Sequence, residues 1–205
     1  MLDTAAVFSA AVVCLAGVMS PGPNFVAVTH RAISSSRVEA IAMVIGIAMV
    51  NTLWAALALF GLNLLVTSLP WLFWSIKLMG ATYLVWFGIQ LLRRSGQPLQ
   101  SRKASRSVSS FHSALRDGIT TNLANPKSMA FYASVFSGAI PADISMDTLL
   151  AMVVMVGVLA VLWYGSVALV LSADRMANLY RQGKKMIERT CGLLLILLGG
   201  HQGLL

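Results

Sequence analysis

The chain has 205 residues, of which 58% are apolar and only 11% are charged, and its mean hydropathy is +0.79. Soluble domains carry about a quarter charged residues, so this composition excludes an ordinary soluble domain and indicates an integral membrane protein. The net charge of +8 does not predict a nucleic-acid partner, because the basic residues lie in connections between apolar segments. The N-terminus lacks a basic region before its apolar run, so a cleaved signal peptide is not expected.

Six apolar segments follow one another along the chain. Each is long enough for a membrane-spanning helix, which needs about 20 mostly apolar residues. They cover approximately 5–29, 38–66, 70–92, 113–139, 147–172 and 187–205. The predicted fold class is an all-α integral membrane protein with six transmembrane helices, forming a single transmembrane domain over residues 1–205.

The basic residues predict how these helices cross the membrane. Thirteen of the fifteen lysines and arginines lie in the first, third and fifth connections. The connections near Ser68 and Ala142 contain none. Because positive connections stay in the cytoplasm, both termini are predicted to be extracytoplasmic. The basic connections are also placed to contact anionic membrane lipid.

The chain divides into two halves of three segments each. The polar segment 93–112, rich in Ser, Arg and Lys, links residues 1–92 to residues 113–205. Three crossings reverse the direction of the chain, so the halves are predicted to form a 3+3 inverted repeat. One pattern recurs in each half, as Lys77-x-x-Gly80 with Gly88 and as Arg189-x-x-Gly192 with Gly200. This glycine spacing allows helices to approach closely.

Prolines interrupt the first and fourth segments at corresponding places in the two halves. The interruptions read Ser20-Pro21-Gly22-Pro23-Asn24 and Asn122-Leu-Ala-Asn125-Pro126-Lys127. A proline removes one N–H group and displaces the carbonyl four residues earlier, which frees the carbonyls of Gly17, Met19 and Asn122. Inside a membrane, such groups must face protein or a wet cavity. Paired broken helices are typical of transporters that bind substrate at the interface between repeats.

The broken helices offer both kinds of group that a zwitterionic amino acid needs. Free carbonyls accept hydrogen bonds from an ammonium group, and the N-terminus of the resumed helix offers N–H groups to a carboxylate. The candidate substrate-binding residues are Pro21, Gly22, Pro23, Asn24, Asn51, Lys77, Asn122, Asn125, Pro126 and Lys127.

Lys127 is the most unusual of these residues because it lies near the middle of the fourth segment. A lysine at this depth costs about 2.5–3.5 kcal/mol on insertion scales and cannot reach either membrane surface. It must therefore face a cavity or a partner, and the substrate carboxylate is the simplest partner. Lys77 can reach the outer surface, and Asn51 can form a hydrogen bond between helices, so both residues also have a structural interpretation.

Other chemistries have less support in the sequence. No acidic residue lies deep in a segment, and the three histidines are scattered, so no metal site or cofactor is predicted. The hydrolase motifs HExxH and GxSxG are absent, so an enzyme is not expected. A membrane thiol–disulfide electron carrier would need a cysteine near each break. The two cysteines are Cys14 and Cys191, and neither lies near Pro126 in the sequence.

The two interrupted motifs resemble those of the lysine exporter and threonine/homoserine exporter (LysE/RhtB) family. Lys77-Leu-Met-Gly80-Ala-Thr-Tyr83-Leu84, continuing to Gly88, is similar to the third-helix pattern of that family. The resemblance covers nearly the whole chain and implies a multi-pass exporter of amino acids in the bacterial inner membrane. It also implies coupling to the proton gradient or membrane potential, and it leaves a homodimer open.

The resemblance is greatest to the threonine-efflux branch, at Asn122 to Lys127 and at Ser134-Val-Phe136-Ser137. Asn51 stands where several relatives have an acid, and Asn24 stands where some have Asp. Both differences remove negative charge and favour a small neutral substrate such as threonine, homoserine or serine. The alternatives are a basic amino-acid exporter and a metal-ion exporter on the same scaffold.

Overall fold

The computed structural model describes the backbone of residues 2–68, 70–93, 95–96, 110–139 and 144–204. Within these ranges the chain forms helices and no strand. The helices are α1 (Thr4–Met19), α2 (Pro23–Ser34), α3 (Arg37–Ser68), α4 (Pro70–Arg93), α5 (Phe111–Leu123), α6 (Pro126–Ala139), α7 (Met146–Leu171) and α8 (Asp174–Leu204). Most of the predicted linker 93–112 lies outside the described residues.

Both proline motifs interrupt their helices. The axes of α1 and α2 differ by 59° at the first break. At the second break, α5 and α6 have 13 and 14 residues, so neither reaches the roughly 20 residues of a spanning helix alone. Pro23 and Pro126 are the first residues of α2 and α6. At that position the missing N–H would have no partner within the helix, so each proline starts a helix without loss.

Among the described residues, two helices are long and apolar enough to cross a membrane on their own: α3, over Arg37–Gly61, and α7. The bent pair of α1 and α2 meets the same requirement when counted as one span. Arg116, Asp117 and Lys127 lower the hydropathy of the α5 and α6 pair. The arrangement of six spans therefore stays a prediction.

The last helix is longer than the sequence predicts. It begins at Asp174, whereas the predicted apolar segment begins near residue 187, so polar residues precede that segment within the same helix. The additional segment is polar, and it is helical because one face packs against the protein. The ring of Tyr180 lies 5.5 Å from that of Phe25, measured between centroids. One turn later, Lys184 pairs with Glu188 at 2.7 Å, a spacing that supports a helix.

The two halves of the chain pack extensively against each other. α3 contacts α5, α6 and α7, while α7 contacts α1 and α2 and α4 contacts α6 and α8. Two of the recurring glycines, Gly88 and Gly192, lie at the crossing of α4 and α8, whereas Gly80 faces α6. A Cβ atom on Gly88 would lie 2.6 Å from the carbonyl oxygen of Gly192, and one on Gly192 would lie 2.9 Å from that of Gly88. Only glycine permits so close an approach, as the spacing predicts, whereas Gly200 has open space around it.

Ion pairs and one hydrogen bond connect different helices close to their predicted membrane surfaces. Arg31 of α2 forms ion pairs with Asp117 of α5 and, at 3.5 Å, with Glu39 of α3. Elsewhere, the backbone N–H of Asp3 donates to the hydroxyl of Thr148 at 2.9 Å, which joins the starts of α1 and α7. The contacts thus group helix ends that the predicted topology places on the same side of the membrane.

Candidate functional site

The two proline breaks meet inside the protein. The side-chain nitrogen Nδ2 of Asn24, at the first break, donates to Oδ1 of Asn122 at 2.9 Å, just before the second break. The same nitrogen lies 3.3 Å from the hydroxyl of Ser128. Residues almost a hundred positions apart in the sequence are therefore brought together, as a site at the interface between the halves requires.

Asn24, Asn122 and Asn51 form a chain of amides with a fixed direction. Nδ2 of Asn122 donates to the carbonyl of Ile47 at 2.7 Å and to Oδ1 of Asn51 at 2.8 Å. A backbone carbonyl can only accept, so Ile47 sets the orientation of all three amides. Oδ1 of Asn24 and Nδ2 of Asn51 are left buried, without a hydrogen-bond partner among the described residues. The chain of amides thus leaves one acceptor and one donor unused among residues that line a common cavity.

Lys127 is 5% exposed and reaches across to the first break. Its Nζ donates to the carbonyl of Ser20 at 2.6 Å and to that of Gly17 at 3.1 Å. The Phe87 ring lies on another side of this nitrogen, with its centroid 5.9 Å away, at the outer limit of a cation–π contact. The ammonium expected at the freed Gly17 carbonyl is therefore that of Lys127 itself, and the partners of Lys127 in this structure are carbonyls rather than a carboxylate.

The other carbonyls that the prolines free also have donors within the protein. The thiol of Cys191 lies 3.8 Å from the carbonyl of Met19. The carbonyl of Asn122 accepts from the N–H of Asn125 at 3.1 Å and lies 3.5 Å from the indole nitrogen of Trp54. The sequence placed no cysteine near the second break, and the structure places Cys191 beside the first.

The two resumed helices begin differently. Asn125 caps α6, because its Oδ1 accepts from the N–H of Lys127 at 3.1 Å and its Nδ2 donates to Ser128 at 3.0 Å. α2 follows Gly22, which provides no side-chain cap. The first N–H groups of a helix need partners from outside it. The carboxylate position predicted at both breaks therefore fits the start of α2 better than the start of α6.

A cavity of about 10 Å³ lies between the breaks. Its lining combines amides, hydroxyls, aromatic rings and one ammonium group: Gly17, Val18, Gly22, Asn24, Asn51, Asn125, Lys127, Ser128, Phe131, Tyr132 and Tyr164. This volume suits about one water molecule, whereas ligand pockets measure roughly 300–1,000 Å³. The cavity between the breaks is therefore too small for an amino acid in this arrangement of the helices.

Some of the predicted site residues line the cavity, and others do not. Pro21 is buried without lining the cavity, whereas Pro23 and Pro126 are exposed at helix starts. The side chain of Lys77 lies outside the described residues. Three aromatic residues that line the cavity were missed: Phe131, Tyr132 and Tyr164. The two tyrosines could have been predicted, because each places a polar hydroxyl in the middle of an apolar segment. Phe131 could also have been predicted, because it lies one helical turn after Lys127.

Buried polar groups around paired broken helices are the features of a membrane translocator. The family model described as "LysE type translocator" matches residues 15–204. The chain belongs to the LysE translocator family, which confirms the resemblance of the two proline motifs.

Named relatives cover almost the full length of the chain. It is 31% identical to the threonine efflux protein of Salmonella typhi, over 95% of each chain. It is 32% identical to the threonine efflux protein of Escherichia coli K12, over 93% of this chain and 94% of the relative. A leucine efflux protein of Klebsiella pneumoniae is 28% identical over 58% of this chain and 56% of its own length. No solved structure matches the chain significantly.

Proposed function

We propose that this protein exports small neutral amino acids, with threonine, homoserine and serine as the leading candidates, across the bacterial inner membrane. The relatives named as threonine efflux proteins support this substrate class. The cavity supports it as well, because its described lining contains amides, hydroxyls and an ammonium group but no carboxylate to attract a basic side chain.

One observation carries this proposal: at a single break, the structure combines carbonyls that hold an ammonium group with an uncapped helix start. The carbonyls of Gly17 and Ser20 already bind the ammonium of Lys127. Directly after them, α2 begins without a side-chain cap. An amino acid carries an ammonium and a carboxylate on adjacent carbons, so this arrangement provides a partner for each charge.

We also propose how the chain crosses the membrane and what drives export. The chain forms six spans in a single domain, in two inverted halves, with both termini extracytoplasmic and the basic connections in the cytoplasm. The proton gradient or membrane potential drives export. Broken helices at the interface between two halves that pack against each other support this arrangement.

An efflux panel tests the proposal. Cells lacking their own exporters are loaded with homoserine or with dipeptides that release each of the twenty amino acids, and each amino acid is measured outside the cells with and without this protein. We expect faster appearance of threonine, homoserine or serine. Faster export of lysine and arginine alone would assign the site to basic amino acids, and the absence of any amino-acid export would refute the proposal.

A further inference from the structure

We propose that the ammonium of Lys127 is a tethered stand-in for the ammonium of the substrate. It occupies the Gly17 and Ser20 carbonyls while the site is empty, and the substrate's own ammonium replaces it when an amino acid binds. This inference rests on the proposed function and adds a step to it: each transport cycle exchanges one ammonium group for another on the same two carbonyls.

The two groups are chemically equivalent at this position. The side chain of lysine and the α-amino group of an amino acid both end in an ammonium with three N–H donors. The Gly17 carbonyl lies in the last turn of α1, and Ser20 is the C-cap residue directly after this helix. Carbonyls at a helix C-terminus carry partial negative charge and lack partners within the helix. They therefore bind either ammonium through the same interactions.

The available space prevents both groups from binding at once. The cavity measures only about 10 Å³, the Lys127 side chain lines it, and the Lys127 ammonium already contacts both carbonyls. The stem of this side chain passes directly over Gly22, where an added Cβ atom would lie 2.9 Å from its Cδ. A substrate ammonium can reach the carbonyls only after the flexible lysine has swung away.

The stand-in matters most when the transporter is empty. In a membrane protein, closing a site without water around two unpaired carbonyls costs free energy, because these carbonyls then have no hydrogen-bond donor. Lys127 supplies the missing donors, so the empty protein can close and return for another substrate. Net export requires this empty return in each cycle. Exchange of internal for external amino acid does not, because the protein carries substrate in both directions.

This difference gives a direct test in liposomes that contain purified protein and the amino acid identified by the efflux panel. Net efflux is measured into buffer without substrate, and exchange is measured with the same amino acid outside. For Lys127→Met we expect net efflux to fall at least about tenfold, because charge-assisted hydrogen bonds are lost, while exchange stays close to the wild-type rate. Lys185→Met, which replaces an exposed lysine of α8, should match wild type in both measurements.

Gly22→Ala provides a second variant that keeps the lysine but displaces its stem. It should reduce net efflux more than exchange. If Lys127→Met does not insert into the membrane, Gly22→Ala alone tests the proposal. A parallel loss of efflux and exchange in both variants would make Lys127 a direct substrate ligand and overturn the proposal, as would unchanged net efflux. Wild-type liposomes that neither export nor exchange any amino acid would instead refute the proposed function.

Discussion

Replacing Gly17 with valine should abolish most export, because this glycine leaves room for an aromatic ring at the site. A Cβ atom on Gly17 would lie 2.0–2.6 Å from three ring atoms of Phe131, a residue that is 3% exposed. Overpacking of this kind typically costs about 1–3 kcal/mol. It would also push α1 away from α6 and so separate the Gly17 carbonyl from Lys127. We expect a lower melting temperature in detergent and export reduced by at least about tenfold.

Two further variants make this result specific. Gly200→Val alters a glycine at which an added Cβ would meet no atom of another described helix within 4 Å, so it should keep wild-type export and stability. Phe131→Ala combined with Gly17→Val should restore much of the stability, because the two changes offset each other in volume. Wild-type export from Gly17→Val alone would show that α1 and α6 are not in contact during transport.

The double substitution of Pro21 and Pro23 by alanine should also reduce export strongly, with normal insertion into the membrane. Each proline disfavours a continuous helix by about 3 kcal/mol relative to alanine. Without them, N–H groups at positions 21 and 23 can bond to the carbonyls of Gly17 and Met19. These are the carbonyls that contact Lys127 and Cys191. We expect the straightened helix to displace both side chains and to reduce export at least about tenfold.

The single substitutions Pro23→Ala and Pro126→Ala should have much smaller effects, because each proline stands at the first position of a helix. Pro70→Ala, at the start of α4, controls for the loss of a proline away from the breaks. Export is measured per inserted molecule, in the cells used for the efflux panel. If the double variant exports at the wild-type rate, the first break is a simple kink.

The sequence predicted the positions of the two breaks well because proline acts locally, through its missing N–H and its ring. It also predicted that Lys127 must contact a partner, because its burial in a membrane is costly wherever the side chain points. The identity of that partner was beyond prediction. Whether Lys127 faces the Gly17 carbonyl or a substrate depends on how α6 packs against α1, which no local pattern specifies.

The same distinction explains what the sequence missed. Hydropathy did not detect the first turns of α8, because they are stabilised by a packed face that includes Tyr180 rather than by an apolar composition. The direction of the asparagine chain was also unpredictable, since it depends on a hydrogen bond from Asn122 to the backbone of Ile47 in another helix. Local chemistry identified many of the residues that meet at the two breaks, but only the tertiary structure shows which of their polar atoms are left without partners.

In the proposed mechanism, an amino acid binds between the two proline breaks. The most direct test measures binding of the exported amino acid to purified wild-type protein, Asn24→Leu and Thr29→Val. Asn24 and Thr29 are both buried in α2, and each has a side-chain oxygen without a hydrogen-bond partner among the described residues. Only Asn24 lines the cavity. The account predicts that Asn24→Leu weakens binding at least about tenfold, through loss of a hydrogen bond to a charged group, while Thr29→Val binds like wild type. Unchanged binding by Asn24→Leu would contradict the account and place the substrate elsewhere in the protein.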